Sequence, residues 1–427
     1  MTVAVLFISL FVFLLIGVPI AIALGASALL TIYFTTTLPL TIMTQKAFTA
    51  LDSFPLLAIP FFMLAGILMG KGGVSKRLLT LATMLVGWMV GGLAMVTVVT
   101  CMFFAAISGS GPATVAAIGS FMIPSMKEKK YDEGFAAAIT AAAGSIGVII
   151  PPSIPFVMYG VIGGVSVGGM FLAGILPGIL IGIGLMAVSF IISKKKNYKP
   201  ETTVNYSFKE VLKALWDAKW ALMIPVIILG GIYGGIFSPT EAAVVAVVYG
   251  TIIGIFVHKE MTIKDIYECI REATVINATT MIIVGLSISF AYIMTLEQIP
   301  NSIASFITDL SSNPIVILIV INIFLLVVGM FIDTISALVV LTPILLPIVT
   351  AVGVDPIHFG VILVANLAIG FITPPLGVNL FVASSVSGVR IERIVVGILP
   401  FLLSMLITLL IITFIPALST WLPNFLQ

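Results

Sequence analysis

Two Pro-Pro pairs lie inside strongly apolar runs, Pro151-Pro152 after Gly147 and Pro374-Pro375 after Gly370. Proline lacks a backbone donor and clashes with the preceding turn, so each pair breaks a helix and frees carbonyl oxygens. In hydrocarbon such carbonyls persist only where protein, water or an ion satisfies them. The carbonyls from 147 to 150 and from 370 to 373 are therefore candidate ligands for a small cation. A plain kink satisfied by neighbouring helices is the alternative, and the recurrence of the break favours the ion.

Upstream of each break lies a second irregular element, Ile107-Ser108-Gly109-Ser110-Gly111-Pro112-Ala113-Thr114 and Phe331-Ile332-Asp333-Thr334-Ile335-Ser336. The segments flanking the first, 93–106 and 114–125, are each too short to cross a bilayer comfortably, which fits a re-entrant hairpin with a polar tip. Hydroxyls and a carboxylate are hard oxygen ligands of the kind Na⁺ takes. Asp333 is the only acid between Asp309 and Asp355, and a carboxylate at that depth is a functional candidate by default, with a buried structural acid as the bland reading. Ser145, Ser153, Asn366, Thr373 and Asn379 stand next to the breaks, and the sequence does not separate ion ligands from substrate ligands among them. No Lys or Arg falls in either region, so helix N-termini must favour any anionic substrate.

These elements need a membrane. Of 427 residues, 60% are hydrophobic and only 8% charged, with 19 Lys plus Arg against 17 Asp plus Glu. A soluble domain carries about 25% charged residues, so the chain reads as an all-α polytopic membrane protein in contact with lipid on most sides. A net charge of +2 with no basic stripe excludes nucleic-acid binding. Cys101, Cys269, His258 and His358 are scattered and lack metal-ligand spacing. Apolar runs of about 20 residues suggest about 11 spans plus shorter pieces. The first run, Met1 to Leu30, has no basic start and reads as one retained span rather than a signal peptide.

The two halves repeat. At a constant offset of 223 residues, Pro124 meets Pro347, Asp132 meets Asp355, and Gly147, Pro151 and Pro152 meet Gly370, Pro374 and Pro375. Gly174-Ile175-Leu176-Pro177 meets Gly397-Ile398-Leu399-Pro400, and Ser110 meets Asp333. The loop with Lys127, Lys129 and Lys130 corresponds to Thr350-Ala351-Val352-Gly353, and the block Lys194, Lys195, Lys196 and Lys199 to a stretch with no Lys or Arg. Only one loop of each pair is basic, so the repeats are inverted, with the basic loops cytoplasmic and both termini outside.

The expected organisation is a first repeat over 1–192, a cytoplasmic amphipathic connector over 193–220 and a second repeat over 221–427. The connector starts a helix at Ser207 with a capping box to Glu210, lying on the bilayer surface. Each repeat supplies scaffold helices, an arm (near Pro39 to Thr49, and Thr262 to Glu272), a re-entrant hairpin and a broken helix. The Gly-rich stretch from Gly230 to Glu241 suits close helix packing around a buried acid better than phosphate binding.

Taken together, the stretch from Gly230 through Ser238-Pro239-Thr240-Glu241, the Ser108 to Thr114 tip, the Gly147 to Pro152 break and Gly370 to Gly377 resemble the large membrane subunit of tripartite ATP-independent periplasmic (TRAP) transporters. The resemblance covers essentially the whole chain. It implies an elevator-type, Na⁺-coupled importer of organic anions in the bacterial inner membrane. It also implies two partners, a small four-helix membrane subunit on a separate chain and a periplasmic substrate-binding protein. Carried over by position, one Na⁺ site would use Ser108, Ser110, Ser145, Gly147 and Ile150, and the other Asp333, Thr334, Ser336, Gly370 and Thr373. Substrate would lie between the tips, with Ser110, Thr114, Ser153, Asn366 and Asn379 in reach. General likeness leans to the sialic acid branch, with C4-dicarboxylates and sugar acids as the other family substrates.

Other classes fit less well. A proton-coupled or facilitative carrier of the same inverted-repeat type stays open. A channel pore usually comes from symmetric subunits around an axis. An intramembrane enzyme would need Ser108 or Ser110 as nucleophile, and no His or Lys stands near to activate either. No Walker-type loop is present for ATP-driven pumping.

Overall fold

The computed structural model describes residues 2–201, 208–299, 302 and 313–426, and all regular structure among the described residues is helical. The first half forms α1 (Thr2–Leu15), α2 (Ile20–Thr35), α3 (Thr41–Leu51), α4 (Ala58–Lys71), α5 (Val74–Val86), α6 (Gly92–Ser108), α7 (Gly111–Glu128), α8 (Glu133–Gly144), α9 (Ile154–Gly163) and α10 (Val167–Lys195). The second forms α11 (Phe208–Tyr233), α12 (Pro239–Ile252), α13 (Ile263–Leu296), α14 (Pro314–Phe331), α15 (Thr334–Ala351), α16 (Pro356–Gly370), α17 (Val378–Ser387), α18 (Ile391–Phe414) and α19 (Ala417–Leu426).

Among the described residues, eight helices are long and apolar enough to cross a membrane, fewer than the eleven or so expected from hydropathy. Backbone breaks account for the difference. The run from 1 to 30 is not one span: Gly17 takes a left-handed conformation at φ +82° and Pro19 opens α2, giving a helical pair. Both central helices are cut as well, α8 from α9 by a tight turn at Ser145–Val148 and α16 from α17 by irregular backbone. The Pro151-Pro152 and Pro374-Pro375 peptide bonds are both cis.

Repeat symmetry shows in the caps. Asp132 accepts from the Phe135 N–H at the start of α8, and Asp355 accepts from the His358 N–H at the start of α16, both at 2.9 Å. The inversion shows in the packing of α10 and α18, which are equivalent helices. Ile192, Lys195 and Lys196 at the end of α10 share a cleft with Arg393, Val396 and Gly397 at the start of α18, so the two run antiparallel.

At the centre sit the two broken helices, with every residue of 134–149 and 358–372 buried. The small residues of α8 permit this: a methyl at Gly144 would collide with the Val115 side chain on α7. Around them the hairpins interlock. α7 packs on α17, and α15 packs on α9, so the second arm of each hairpin grips the post-break helix of the other repeat. A second group of helices flanks this core: α1 packs on α2, α2 and α3 pack with α13, which also touches α15, and α4 packs with α12. Ser289 Oγ on α13 donates to the Met43 carbonyl of α3, joining that arm to the scaffold.

Three further expectations change. The connector helix is not a separate surface element, because α11 continues unbroken from Phe208 to Tyr233; its expected cap at Ser207 lies outside the described residues. The arm from Thr262 likewise runs without a break into a 34-residue helix. Glu241 is exposed rather than buried, and completes a capping box with Ser238 at the start of α12.

Candidate functional site

The first hairpin turns at Gly109, whose φ of +59° closes α6, and Ser110 opens α7 by accepting from the Ala113 N–H. The tip holds itself together. Ser108 Oγ and Thr114 Oγ1 are 2.8 Å apart, and Thr114 Oγ1 donates to the Ser110 carbonyl at 2.8 Å. Ser108 and Thr114 are buried. Gly147 presses on this tip so closely that a Cβ there would stand 2.6 Å from both the Ser110 carbonyl oxygen and Thr114 Oγ1. The Ile154 N–H donates to the Gly109 carbonyl at 3.3 Å, which ties tip and post-break helix.

Ser110, Ser108, Thr114 and Gly147 are thus one cluster. Ser145 stands within the same buried turn and accepts from Asn379 Nδ2 at 3.0 Å, a bond from the second repeat into the first. Ile150 donates its N–H to Ile146 and packs on Gly178. Ser153 bridges the break, donating to the Val148 carbonyl at 2.6 Å while capping α9.

The second hairpin follows the same plan with different chemistry. Asp333, at the position equivalent to Ser110, accepts from the Ser336 N–H at 3.1 Å and caps α15. Thr334 Oγ1 and Ser336 Oγ are buried and have no hydrogen-bond partner among the described residues. Buried hydroxyls of this kind are hard oxygen donors that could hold a cation. One turn before the tip, Gly329 lies against the break at Gly370, where an added Cβ would stand 2.7 Å from the Gly329 Cα. Thr373 donates its N–H to the Gly370 carbonyl at 3.1 Å and its hydroxyl to the Ile369 carbonyl at 2.8 Å.

The two Asn side chains part company. Asn379 reaches the first break, whereas Asn366 donates from Nδ2 to Asn322 Oδ1 at 2.7 Å and to the Ile362 carbonyl. Both keep a buried Oδ1 without a partner.

A cavity of about 960 Å³ leads to the first tip, walled by α4, α5, α7 and α13 and reaching Ser108 and Ser110 at one end and Lys71, Lys76, Glu260 and Glu272 at the other. Lys76 also lines a second cleft with Trp216, Asp217 and Lys219 of α11, which places it on the face of the basic connector. By the positive-inside rule that face is cytoplasmic. The Lys71 to Arg77 loop, unassigned by sequence, therefore shares the face of the basic connector.

The family model for the tripartite ATP-independent periplasmic transporter, DctM component, matches residues 7–418. The chain belongs to this family of TRAP transporter large permeases. It is 54% identical over 405 residues to the isethionate TRAP transporter permease protein of Oleidesulfovibrio alaskensis, covering 95% of this chain and 64% of that protein. With the C4-dicarboxylate TRAP transporter large permease of Vibrio cholerae it shares 42% over 448 residues, covering 100% and 98%. With the sialic acid large permease of that organism it shares 38% over 411 residues, covering 96% and 95%. In structure it resembles MtrF of Neisseria gonorrhoeae, with a TM-score of 0.64 at 12% identity over 95% of this chain and 94% of that one. The YdaH transporter of Alcanivorax borkumensis gives 0.61 at 14%, over 90% and 87%. These likenesses concern the fold. This TRAP permease is a multi-pass membrane transporter and not an enzyme.

Several residues of the site escaped the sequence reading. Gly66 on α4 touches the tip, a Cβ there falling 3.1 Å from the Ser108 Cα. Gly329 and Asn322 are two more, and the Phe371 ring, whose carbonyl alone the sequence singled out, packs on Gly111. The Gly residues carry a weak signal, small residues in a hairpin arm; Asn322 carried a stronger one, an amide within an apolar span.

Proposed function

We propose that this permease imports a small organic anion driven by Na⁺, through an elevator movement of the hairpin and broken-helix core against the outer helices. The observation that supports coupling most is the second tip: a carboxylate, Asp333, beside two buried hydroxyls, Thr334 Oγ1 and Ser336 Oγ, that no protein group satisfies. The first tip supplies Ser108, Ser110 and Thr114 with the backbone at Gly147. Interlocking of each hairpin with the opposite post-break helix makes one body of the core, which suits a rigid-body movement. The cavity from Lys76 to Ser110 is then the route by which cargo leaves to the cytoplasm.

The partners are a small membrane subunit and a periplasmic binding protein, as the family implies. On substrate, 54% identity to the isethionate relative, against 36–44% for the C4-dicarboxylate and 37–38% for the sialic acid ones, favours a compact sulfonate or dicarboxylate over the sialic acid suggested by general likeness. Asn379 Oδ1, Ser110 and the N-terminus of α7 are positioned to receive it, with Thr114 and Ser153 nearer the backbone of the break. Uptake by the three-protein system in proteoliposomes, with isethionate, a C4-dicarboxylate and a sialic acid offered separately, tests this reading. Accumulation of one of the two smaller acids is expected, and accumulation of sialic acid alone would reject the substrate class.

A further inference from the structure

Five buried polar residues are linked by hydrogen bonds through the second repeat, the step at Thr413 passing from its hydroxyl to its backbone carbonyl. Asn366 Nδ2 donates to Asn322 Oδ1 at 2.7 Å, and Asn322 Nδ2 donates to Thr413 Oγ1 at 3.0 Å. His358 lies 3.2 Å from the Thr413 carbonyl through Nε2 and 2.6 Å from Ser419 Oγ through Nδ1. None of the five is more than 4% exposed. They join α14, the first arm of the second hairpin, to α16, α18 and α19.

The repeat provides an internal comparison. At the 223-residue offset, Asn322, His358, Asn366 and Thr413 correspond to Val99, Phe135, Ala143 and Phe190, and Ser419 to Lys196. The first repeat therefore sets its hairpin against its broken helix with apolar side chains, and the fold does not require the polar set. Hydrogen bonds between membrane helices also contribute little net stability.

What differs between the repeats is how the tip is held. In the first, Ser108, Ser110 and Thr114 are bonded to one another and fix their own geometry. In the second, Thr334 Oγ1 and Ser336 Oγ have no partner among the described residues, so their placement depends on the helices that carry them. The Asn322–Asn366 bond sits about two turns before Gly329 on α14 and about one turn before Gly370 on α16. It fixes the rotation and register of the hairpin arm at the contact where tip and break meet.

We propose that Asn322 and Asn366, anchored through Thr413 to His358 and Ser419, are positioning residues for the cation cradle of the second hairpin. They set the arm of the cradle and do not ligate the ion through the bonded amide groups. This rests on the Na⁺-coupled reading above.

The test borrows the residues of the first repeat. In the full complex, Asn322→Val with Asn366→Ala should leave the melting temperature without Na⁺ close to wild type. The Na⁺ concentration for half-maximal uptake should rise about tenfold, and the Na⁺-induced rise in melting temperature should shrink to match. A lower melting temperature without Na⁺, at unchanged Na⁺ affinity, would reduce the network to a structural one and overturn the proposal. If the double variant does not insert, Thr413→Val removes one hydroxyl at constant shape; a rise of about threefold is expected, and no change overturns the proposal. Wild-type uptake indifferent to Na⁺ is a separate result: it rejects the coupling reading and this proposal with it.

Discussion

Asn379, in the helix after the second break, donates from Nδ2 to Ser145 Oγ in the turn of the first break, 3.0 Å away. The same amide reaches the Ala141 carbonyl at 3.2 Å. The two half-sites are thereby joined across the repeat boundary by a side chain whose remaining oxygen has no partner. Cargo bound by that oxygen would bear on both breaks at once.

Asn379→Leu should therefore lower uptake at least tenfold. It removes two bonds, leaves Ser145 Oγ and the Ala141 carbonyl only their long 3.5 Å bond to each other, and costs about 1–3 kcal/mol of stability. Asn379→Gln, which keeps the amide, should recover part of the rate. Initial uptake rates at matched membrane levels check this.

Asp333→Ala should abolish Na⁺-driven uptake while the protein still inserts and assembles with its small subunit. The Asp333 carboxylate caps α15 as well as facing the tip, so Asp333→Asn is the sharper variant: Asn caps about as well as Asp but carries no charge. Wild-type transport in Asp333→Asn would remove the carboxylate from the ion site.

Methyl groups at the two breaks should be intolerable for a backbone reason. In Gly147→Ala the new Cβ meets the Ser110 carbonyl oxygen, and in Gly370→Ala it meets the Gly329 backbone, neither of which can rotate away. Each should cost about 1–3 kcal/mol and separate tip from break, seen as lost uptake and a lower melting temperature. Gly230→Ala, with no atom near the added carbon, should leave both unchanged.

Beside Lys195 and Lys196, Arg393 Nη2 pairs with Asp132 Oδ2 at 2.8 Å and Arg393 Nη1 lies 3.8 Å from Glu133. Burial pushes the Asp132 carboxyl up, but the Arg393 and Phe135 hydrogen bonds and the charges of Lys196 and Arg393 leave it below its ordinary 3.8. A lowered acid stabilises the fold above its ordinary value, and that contribution disappears as pH falls through the lowered one. Melting temperature should thus drop on strong acidification, and by less in Asp132→Asn. An equal drop in both proteins would exclude this pair as the source.

Much of this architecture was legible in the residues. The Pro-Pro pairs, the Ser110 and Asp333 tips and the fixed offset all reflect local chemistry that a bilayer makes costly to leave unsatisfied, and the structure carries breaks and hairpins at those positions. The partners of the breaks were not legible. Gly329 against Gly370, Asn379 on Ser145 and Asn322 on Asn366 bring together residues far apart in sequence, and an apolar chain offers no charge pattern to mark them. Helix continuity also escaped, since the polar stretch before Ala221 looked like a boundary while α11 runs straight through it.

The most direct measurement is the initial rate of organic-anion uptake into proteoliposomes holding the full complex, with and without an inward Na⁺ gradient at constant ionic strength and membrane potential. Coupling through the two tips predicts uptake that collapses when Na⁺ is replaced by choline and in Asp333→Asn. Equal rates with and without Na⁺ would contradict it.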